Sequence, residues 1–235
     1  MTCLKDEHLT IPSLSASLDV GGRTLRNRVV LAPMSGVTDL PFRDLAWRFG
    51  AGLVVTEMVA SRELALNARE SWSRIRNCGI RPHMVQLAGR EAHWMAEAAR
   101  IAAGEGADII DINMGCPAKK VIGGYSGSAL MRDPDHALGL IEATVNAVKV
   151  PVTVKMRLGW DHDSLNAPHI ASRAEAAGAA MITVHGRTRM QFYEGKADWD
   201  AIRAVRDVLS IPLVANGDVD TAEDAREILR CSGAD

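Results

Sequence analysis

Seven short apolar segments recur along the chain at steps of 24 to 43 residues, and this repeat restricts the fold more than any other feature. Each segment is nearly continuous in apolar residues, which is typical of parallel strands that are covered on both faces. Helical patterns lie between them, as at residues 94–103, 135–148 and 167–177. The repeat therefore predicts a parallel α/β fold. The apolar segments cover residues 29–32, 53–56, 84–87, 109–112, 152–154, 181–184 and 213–215.

The spacing of the segments predicts how the sheet closes. Their mean step of about 31 residues matches the roughly 250 residues that eight units of a (β/α)8 TIM barrel occupy. The last four letters, SGAD, follow a helical segment that begins near Thr221, just as Gly-Ala phrases precede three earlier strands. We therefore expect a (β/α)8 TIM barrel with seven strands present and the eighth cut off. An open seven-stranded α/β sheet is the alternative.

A hairpin is predicted ahead of the first barrel strand. The phrase LDVGGRTLRN places Gly21 and Gly22 between two extended pieces, which is a turn signal. We expect residues 1–28 to form an N-terminal extension whose hairpin closes the bottom of the barrel. Residues 29–235 are expected to form the barrel domain.

Composition excludes several classes of protein. The net charge is -2, and no apolar run approaches the ~20 residues that span a bilayer, so we expect no membrane partner. The four cysteines are widely spaced without a C-x-x-C pair, which favours a cytoplasmic protein with reduced thiols and no metal site. Aromatic residues are only 4% of the chain. Those in predicted loops that could stack on a nucleobase are Tyr125, Trp160, Phe192 and Tyr193.

Polar residues follow the apolar segments at the strand ends where TIM barrels hold their active sites. Lys155 with Arg157, and His185 with Arg187, are two residues apart, so the members of each pair lie on one face of a strand. The pattern predicts a cationic cluster over the barrel mouth that suits phosphates. The polar residues are Pro33, Met34, Ser35, Gln86, residues 113–117, Lys155, Arg157, His185, Arg187, Asn216, Gly217 and Asp218.

Structural interpretations compete with these functional ones. A histidine at a strand end is more often structural, and an Asn-Gly pair such as Asn216-Gly217 marks turns in general. Lys155, however, lies in the apolar run VPVTVKM, where burial without an anionic partner would cost several kcal/mol. The chain contains no P-loop, no H-E-x-x-H and no zinc-deaminase cysteine pair. A phosphate-binding face, a buried lysine and one thiol, that of Cys116, together suggest a flavin.

Several motifs resemble those of one known family. LAPMSGVTDLPFR, TEM, VQLAG, DINMGCPAKKV, GSALMRDP, VKMRLGWD, VHGRTR and VANGD occur in the order found in the tRNA-dihydrouridine synthases. The form NMGCPAKK followed by GSALM is similar to the B-type bacterial subgroup. The resemblance covers residues 29–235.

The resemblance implies an FMN over the barrel mouth, reduced by NADPH or NADH. It implies flavin contacts for Pro33, Met34, Ser35, Gln86, Lys155 and His185, and a phosphate cradle of Asn216, Gly217 and Asp218. It implies that Cys116 donates a proton to C5 of uracil while hydride reaches C6, and that Asn113, Lys119, Arg157 and Arg187 bind the substrate. The family's eighth-strand phosphate contacts and its C-terminal helical tRNA-binding domain lie outside this sequence.

The implied partner is a tRNA whose target uracil is extruded from the stack. Its backbone phosphates are expected to meet Lys119, Lys120, Arg132, Arg157, Arg187 and Arg189. The glycine-rich segment 119–131 is expected to be a mobile loop that closes over the uracil. The oligomeric state is left open.

Two other functions remain as alternatives. One is an FMN-dependent dehydrogenase of a free pyrimidine, of the dihydroorotate or dihydropyrimidine type. The other is a non-catalytic RNA-binding or regulatory protein on the same fold. Judged alone, Cys116 is also compatible with a buried packing role, because free cysteine is among the most buried residue types.

Overall fold

The structure is a computed structural model that describes residues 12–77 and 79–235, without the side chains of residues 120 and 122. The first part of the expected N-terminal extension, with Cys3, lies outside the described residues, and so does Cys78. Within the described residues, Cys116 and Cys231 form no disulfide bond. No helix in this part of the chain is long and apolar enough to cross a membrane.

The predicted repeat of strand and helix is confirmed. The strands are β1 (Leu18–Val20), β2 (Arg23–Leu25), β3 (Val30–Leu31), β4 (Leu53–Val54), β5 (Val59–Ala60), β6 (Met84–Ala88), β7 (Ile109–Met114), β8 (Val152–Arg157), β9 (Met181–His185) and β10 (Leu213–Asn216). The helices are α1 (Leu40–Arg48), α2 (Ser61–Ala65), α3 (Arg69–Arg74), α4 (Ala92–Gly104), α5 (Lys119–Ile122), α6 (Pro134–Ala147), α7 (Ala167–Ala176), α8 (Trp199–Arg206) and α9 (Ala222–Ser232), with a 3-10 helix at Gly127–Arg132.

The barrel strands run parallel and follow one another in chain order. β3 pairs with β4, and a six-stranded sheet has the order β10-β9-β8-β7-β6-β5. A bridge from Val55 to Met84 joins β4 to β6, so the seven predicted segments form one curved parallel array. β10 and β3 are its two edges, and they do not pair within the described residues.

Several strands are longer at their C-terminal ends than the apolar pattern predicts. Lys155 and Arg157 belong to β8, and His185 and Asn216 are the last residues of β9 and β10. The hydrogen bonds between strands join backbone groups, so the pairing continues past the apolar residues to the polar ones. The polar residues expected to follow the strands therefore stand on them. The short strand β5 had no signal in the apolar pattern.

The hairpin of β1 and β2 closes the bottom of the barrel as expected. Its Leu18, Val20 and Leu25 are buried against residues that begin the barrel strands, such as Leu53 and Met84. Gly21 holds a φ of +57°, and a Cβ there would lie 2.8 Å from Cβ of Pro151. The turn therefore requires glycine both for its dihedral angle and for its close packing.

The segment expected to be a mobile loop, residues 119–131, is folded instead. It contains α5 and the 3-10 helix, in which Ser128, Leu130 and Met131 are buried. Leu130 and Met131 belong to the main hydrophobic core. The glycines that suggested mobility provide a positive φ at Gly127, +60°, rather than disorder. The helix expected near Thr221 is confirmed as α9, which begins with a complete capping box between Thr221 and Asp224.

Candidate active site

A cavity of about 420 Å³ lies at the C-terminal ends of the barrel strands. Its volume falls in the range of roughly 300–1,000 Å³ that small-molecule sites occupy. Phe192 and Tyr193 from the loop after β9 form part of its rim, and Tyr193 is 64% exposed. The cavity brings together ten of the residues proposed from sequence: Pro33, Met34, Ser35, Gln86, Asn113, Cys116, Lys155, Arg157, His185 and Asn216.

Lys155 projects from β8 into this cavity. Its Nζ lies 2.9 Å from Oδ1 of Asn216, which accepts a hydrogen bond from it. Burial lowers the pKa of Lys155 from 10.5 to about 8, against the opposing charge of Asp111 and with a smaller lowering contribution from Arg157. The anionic neighbour that the sequence seemed to lack is therefore Asp111 on β7. A lysine that loses its proton near pH 8 can still carry a charge at neutral pH.

Cys116 is half-buried and its backbone is held on both sides. Its N–H donates to Oδ1 of Asn113 at 3.0 Å, and its carbonyl accepts from Oγ of Ser128 at 2.9 Å. Gly127 has a φ of +60°, and a Cβ there would lie 2.8 Å from the Cys116 carbonyl oxygen. A Cβ on Gly115 would meet only ordinary contacts, the nearest at 3.6 Å.

A buried polar network lies under the cavity. Asp111 is 2% exposed; its Oδ1 accepts from Oγ1 of Thr153 at 2.6 Å and its Oδ2 from Nε2 of Gln86 at 2.7 Å. Oε1 of Gln86 in turn accepts from Nδ2 of Asn113 at 2.8 Å. Burial raises the pKa of Asp111, although the hydrogen bonds from Thr153 and Gln86 and the charge of Lys155 oppose this. Sequence reasoning missed Asp111 and Thr153.

His185 lines the cavity but does not contribute a positive charge. Burial, together with the charges of Lys155, Arg157 and Arg187, lowers its pKa to about 3. Its Nε2 lies 3.3 Å from Nη1 of Arg187, which suits an accepting nitrogen. The cationic cluster predicted from sequence therefore contains a neutral histidine at neutral pH.

The two arginines expected to bind substrate phosphates are turned into the protein instead. Arg157, 2% exposed, donates to the carbonyls of Gly115, Thr188 and Phe192 at 2.8–2.9 Å. Arg187, 6% exposed, lies 2.8 Å from the carboxylate of Asp218 and does not line the cavity. Binding of substrate phosphates stays a prediction for these two side chains, although backbone carbonyls and a carboxylate already accept from several of their donors. They hold the loops after β7 and β9.

The turn after β10 differs in part from the predicted phosphate cradle. The side chain of Asn216 faces Lys155, and that of Asp218 accepts from the backbone N of Ala197 at 2.7 Å besides pairing with Arg187. Gly217 packs against His185, since a Cβ there would lie 2.7 Å from its ring. The N–H groups of Gly217 and Asp218 make no hydrogen bond within the described residues. These two N–H groups, rather than the side chains, are available to an anion.

Further cations and the ring of Trp160 lie in the segments that follow β7, β8 and β9. Lys119 is exposed outside the cavity. Arg132 and Arg189 lie over the ring of Trp160, at 4.2 and 4.9 Å from its centroid. A second cavity of about 630 Å³ adjoins the first, and Ser35 and Met58 line both. In the described part of the chain, no group of His, Cys, Asp and Glu could hold a metal ion.

Comparisons with known proteins place this site in a family. The family model described as Dihydrouridine synthase (Dus) matches residues 30–235. A probable tRNA-dihydrouridine synthase of Rhizobium leguminosarum bv. phaseoli is 81% identical over 212 residues, covering 90% of this chain and 67% of its own. A protein of the same name in Rhodobacter capsulatus is 65% identical over 209 residues, covering 88% and 64%.

A relative named tRNA-dihydrouridine synthase B, from Pseudomonas syringae pv. tomato, is 48% identical over 221 residues, covering 94% of this chain and 66% of its own. The chain thus spans about two thirds of the length of these relatives. Among solved structures, histamine dehydrogenase from Rhizobium sp. 4-9 superposes with a TM-score of 0.68 at 14% identity, over 92% of this chain and 44% of that one. This structural likeness supports the barrel fold alone.

Proposed function

Because the chain belongs to the dihydrouridine synthase family, we propose that it reduces uridine in tRNA to 5,6-dihydrouridine. The observation that carries the proposal is that Cys116 and Lys155 line the same cavity at the barrel mouth, inside the matched residues. A thiol can hold the proton that the reduction consumes. A lysine can hold the charge that a redox cofactor needs beside its ring.

The cavity fits the FMN that family membership implies. Pro33 and Met34 offer an apolar wall, Lys155 and Asn216 offer polar groups, and the unpaired N–H groups of Gly217 and Asp218 are donors suited to a phosphate. When bound, FMN reduced by NADPH or NADH supplies the hydride that uracil C6 receives. In our proposal Lys155 and Asn216 hold the ring in place, while Gln86 lies beside its pyrimidine edge.

The chain's own residues then complete the reduction. Cys116 holds a proton on Sγ and delivers it to C5 of the uracil, acting as a general acid. Asn113 and Ser128 hold the cysteine backbone, so the thiol keeps one position in the cavity. Phe192 and Tyr193 stand at the rim, where a bound substrate can pack against their exposed rings.

We propose a tRNA rather than a free pyrimidine as the substrate. An extruded uracil would enter the smaller cavity beside the FMN, and the adjoining cavity of about 630 Å³ leaves room for flanking nucleotides. Exposed Lys119 and the arginines that stack on Trp160 are suited to the phosphates of the same strand. A free base would use none of these groups.

A reconstitution experiment tests the proposal. The protein is incubated with FMN, NADPH and unmodified tRNA, and nucleosides are analysed by mass spectrometry, with free uracil and dihydroorotate as competing substrates. We expect dihydrouridine in the tRNA and no turnover of the free pyrimidines. Turnover of a free pyrimidine without modification of tRNA would support the dehydrogenase alternative. A protein that binds tRNA but no flavin would support a non-catalytic role.

A further inference from the structure

We propose that the buried carboxylate of Asp111 positions Cys116 by fixing the direction of a chain of hydrogen bonds through Gln86 and Asn113. The inference rests on the proposed function for its catalytic meaning, since it concerns how the proton donor is held. Asp111 does not line the candidate cavity but lies beneath it. It is therefore a positioning residue.

The donor-to-acceptor direction of these hydrogen bonds is set at Asp111, the buried end of the network. Both oxygens of Asp111 accept, one from Thr153 and one from Gln86, at 2.6 and 2.7 Å. A carboxylate only accepts, so the Gln86 amide must turn its nitrogen toward Asp111. Its oxygen is then the atom that faces Asn113.

The orientation of the Gln86 amide in turn determines that of Asn113, which holds the loop containing Cys116. Because Gln86 presents an oxygen, Asn113 must present its Nδ2, and its Oδ1 is left facing the loop after β7. That single oxygen accepts from the backbone N–H of Gly115 at 3.2 Å and of Cys116 at 3.0 Å. A reversed Asn113 amide would place a donor against two donors and release the loop.

Because the network is buried, a hydrogen bond in the wrong direction is energetically costly. Asp111, Gln86 and Thr153 are at most 2% exposed and Asn113 is 8% exposed, so water cannot readily replace a lost partner. An amide has two orientations of similar shape, and only its partners choose between them. While it is ionised, Asp111 is fixed as the acceptor at one end of the network, and the N–H groups of Gly115 and Cys116 are fixed as donors at the other.

Moving the carboxylate from residue 111 to residue 113 provides a test. Asn113→Asp puts carboxylates on both sides of Gln86, which can offer its nitrogen to only one of them. Adding Asp111→Asn reverses the two side-chain hydrogen bonds of Gln86: residue 113 accepts from Gln86, and Gln86 accepts from residue 111. Residue 113 still accepts from the loop in this double variant, so the cap on Cys116 is preserved.

The measurement is the exchange protection of the Gly115 and Cys116 amides, followed by NMR. We expect each single variant to lose protection by at least about tenfold, and the double variant to return to within about threefold of the wild type, as strongly coupled neighbours do. Losses that simply add in the double variant would overturn the inference.

A matched control comes from Asn27, whose Oδ1 accepts from the N–H of Val29 and whose Nδ2 donates to the Gly50 carbonyl. It has the same local arrangement as Asn113 but lies at the bottom of the barrel. Asn27→Asp should leave the protection of the Cys116 amide unchanged, and Asp111→Asn should not rescue any stability it loses. Rescue there would show that the effect is not specific to the chain of hydrogen bonds.

A kinetic measurement separates this inference from the proposed function. In Asp111→Asn, kcat for dihydrouridine formation should fall by about tenfold with KM for tRNA within about twofold, because the proton donor and not the substrate contact is disturbed. An unchanged kcat, or a change in KM alone, contradicts the positioning role. A wild-type protein that forms no dihydrouridine refutes the proposed function, while the exchange measurement still decides whether Asp111 directs the network.

Discussion

At the scale of single residues, Lys155 links the electrostatics of the site to cofactor binding. Burial lowers its pKa to about 8, so in the free protein it is charged below that pH and neutral above it. We predict that the affinity for FMN falls by roughly tenfold between about pH 7 and pH 9, since the charged form of Lys155 is the stronger hydrogen-bond donor to the flavin ring. Flavin fluorescence titrations measure this.

The matching variant is Lys155→Met, which has no proton to lose. Its affinity for FMN should be weak at neutral pH and nearly constant over the same range. A Lys155→Met protein with the FMN affinity of the wild type, or with the same pH dependence as the wild type, would show that Lys155 has a purely structural role.

Cys116 carries the second residue-level prediction. Cys116→Ala should bind FMN and oxidise NADPH as the wild type does, because the side chain is only half-buried and its backbone contacts persist. Dihydrouridine formation should slow by at least ~100-fold, the lower end of what general acid catalysis contributes. Rates of both reactions on one preparation provide the check, and a wild-type rate of dihydrouridine formation would make Cys116 a packing residue.

The sequence located most of the candidate site but not the partners of its charges. Strand ends collect at the barrel mouth, which is why Gln86, Cys116 and Lys155 could be brought together from spacing alone. The carbonyl partners of Arg157 and Arg187 could not be predicted, because a sequence does not show which carbonyls a guanidinium will meet. Asp111 had a signal, since a carboxylate within the apolar run ADIIDIN requires a buried partner just as Lys155 does.

At the scale of elements, the segment from α5 to the 3-10 helix supports the cysteine loop. Gly127→Ala should destabilise the protein by about 1–3 kcal/mol, because its φ is +60° and the new Cβ would press on the Cys116 carbonyl. Chemical denaturation measures the loss. Alkylation of Cys116 should also become faster as its loop loosens.

Gly139 in α6 provides the control for that change. It has open space around its Cα and an ordinary helical backbone, so Gly139→Ala should stabilise the protein by about 0.5–1 kcal/mol. Equal effects at the two glycines would contradict the role assigned to Gly127.

Elements that pack on both faces were the ones the sequence predicted best. Burial requires the apolar runs of β7, β8 and β9 and the amphipathic pattern of α6. The order of apolar residues in the sequence shows both directly. The 3-10 helix was missed because three glycines and two serines at residues 123–128 indicate a loop locally, while Leu130 and Met131 are held by the distant core. Tertiary packing decided the structure there.

At the scale of the whole molecule, the barrel has a gap between β10 and β3. Asp235 lies in this gap: its N–H donates to the Leu213 carbonyl at 2.9 Å, and its own carbonyl accepts from Arg28 beside β3. We propose that an eighth strand occupies this position and that residues 29–235 are the FMN-binding part of a closed barrel. The curated relatives are long enough to include such a strand.

This proposal predicts the behaviour of residues 1–235 in isolation. They should bind FMN at least about tenfold more weakly than a form that includes the eighth strand, and should self-associate, because β3 and β10 expose unpaired edges. Flavin titration and analytical ultracentrifugation test both expectations. A monomeric fragment with submicromolar affinity for FMN, equal to that of the closed form, would show that the gap does not matter.

The central claim is that this chain makes dihydrouridine in tRNA with Cys116 as the proton donor. Mass-spectrometric mapping of tRNA from a strain that lacks the gene tests it most directly. We predict that dihydrouridine disappears from at least one position, that the wild-type gene restores it, and that the Cys116→Ala gene does not. Unchanged dihydrouridine in the deletion strain, or full restoration by Cys116→Ala, would contradict the claim.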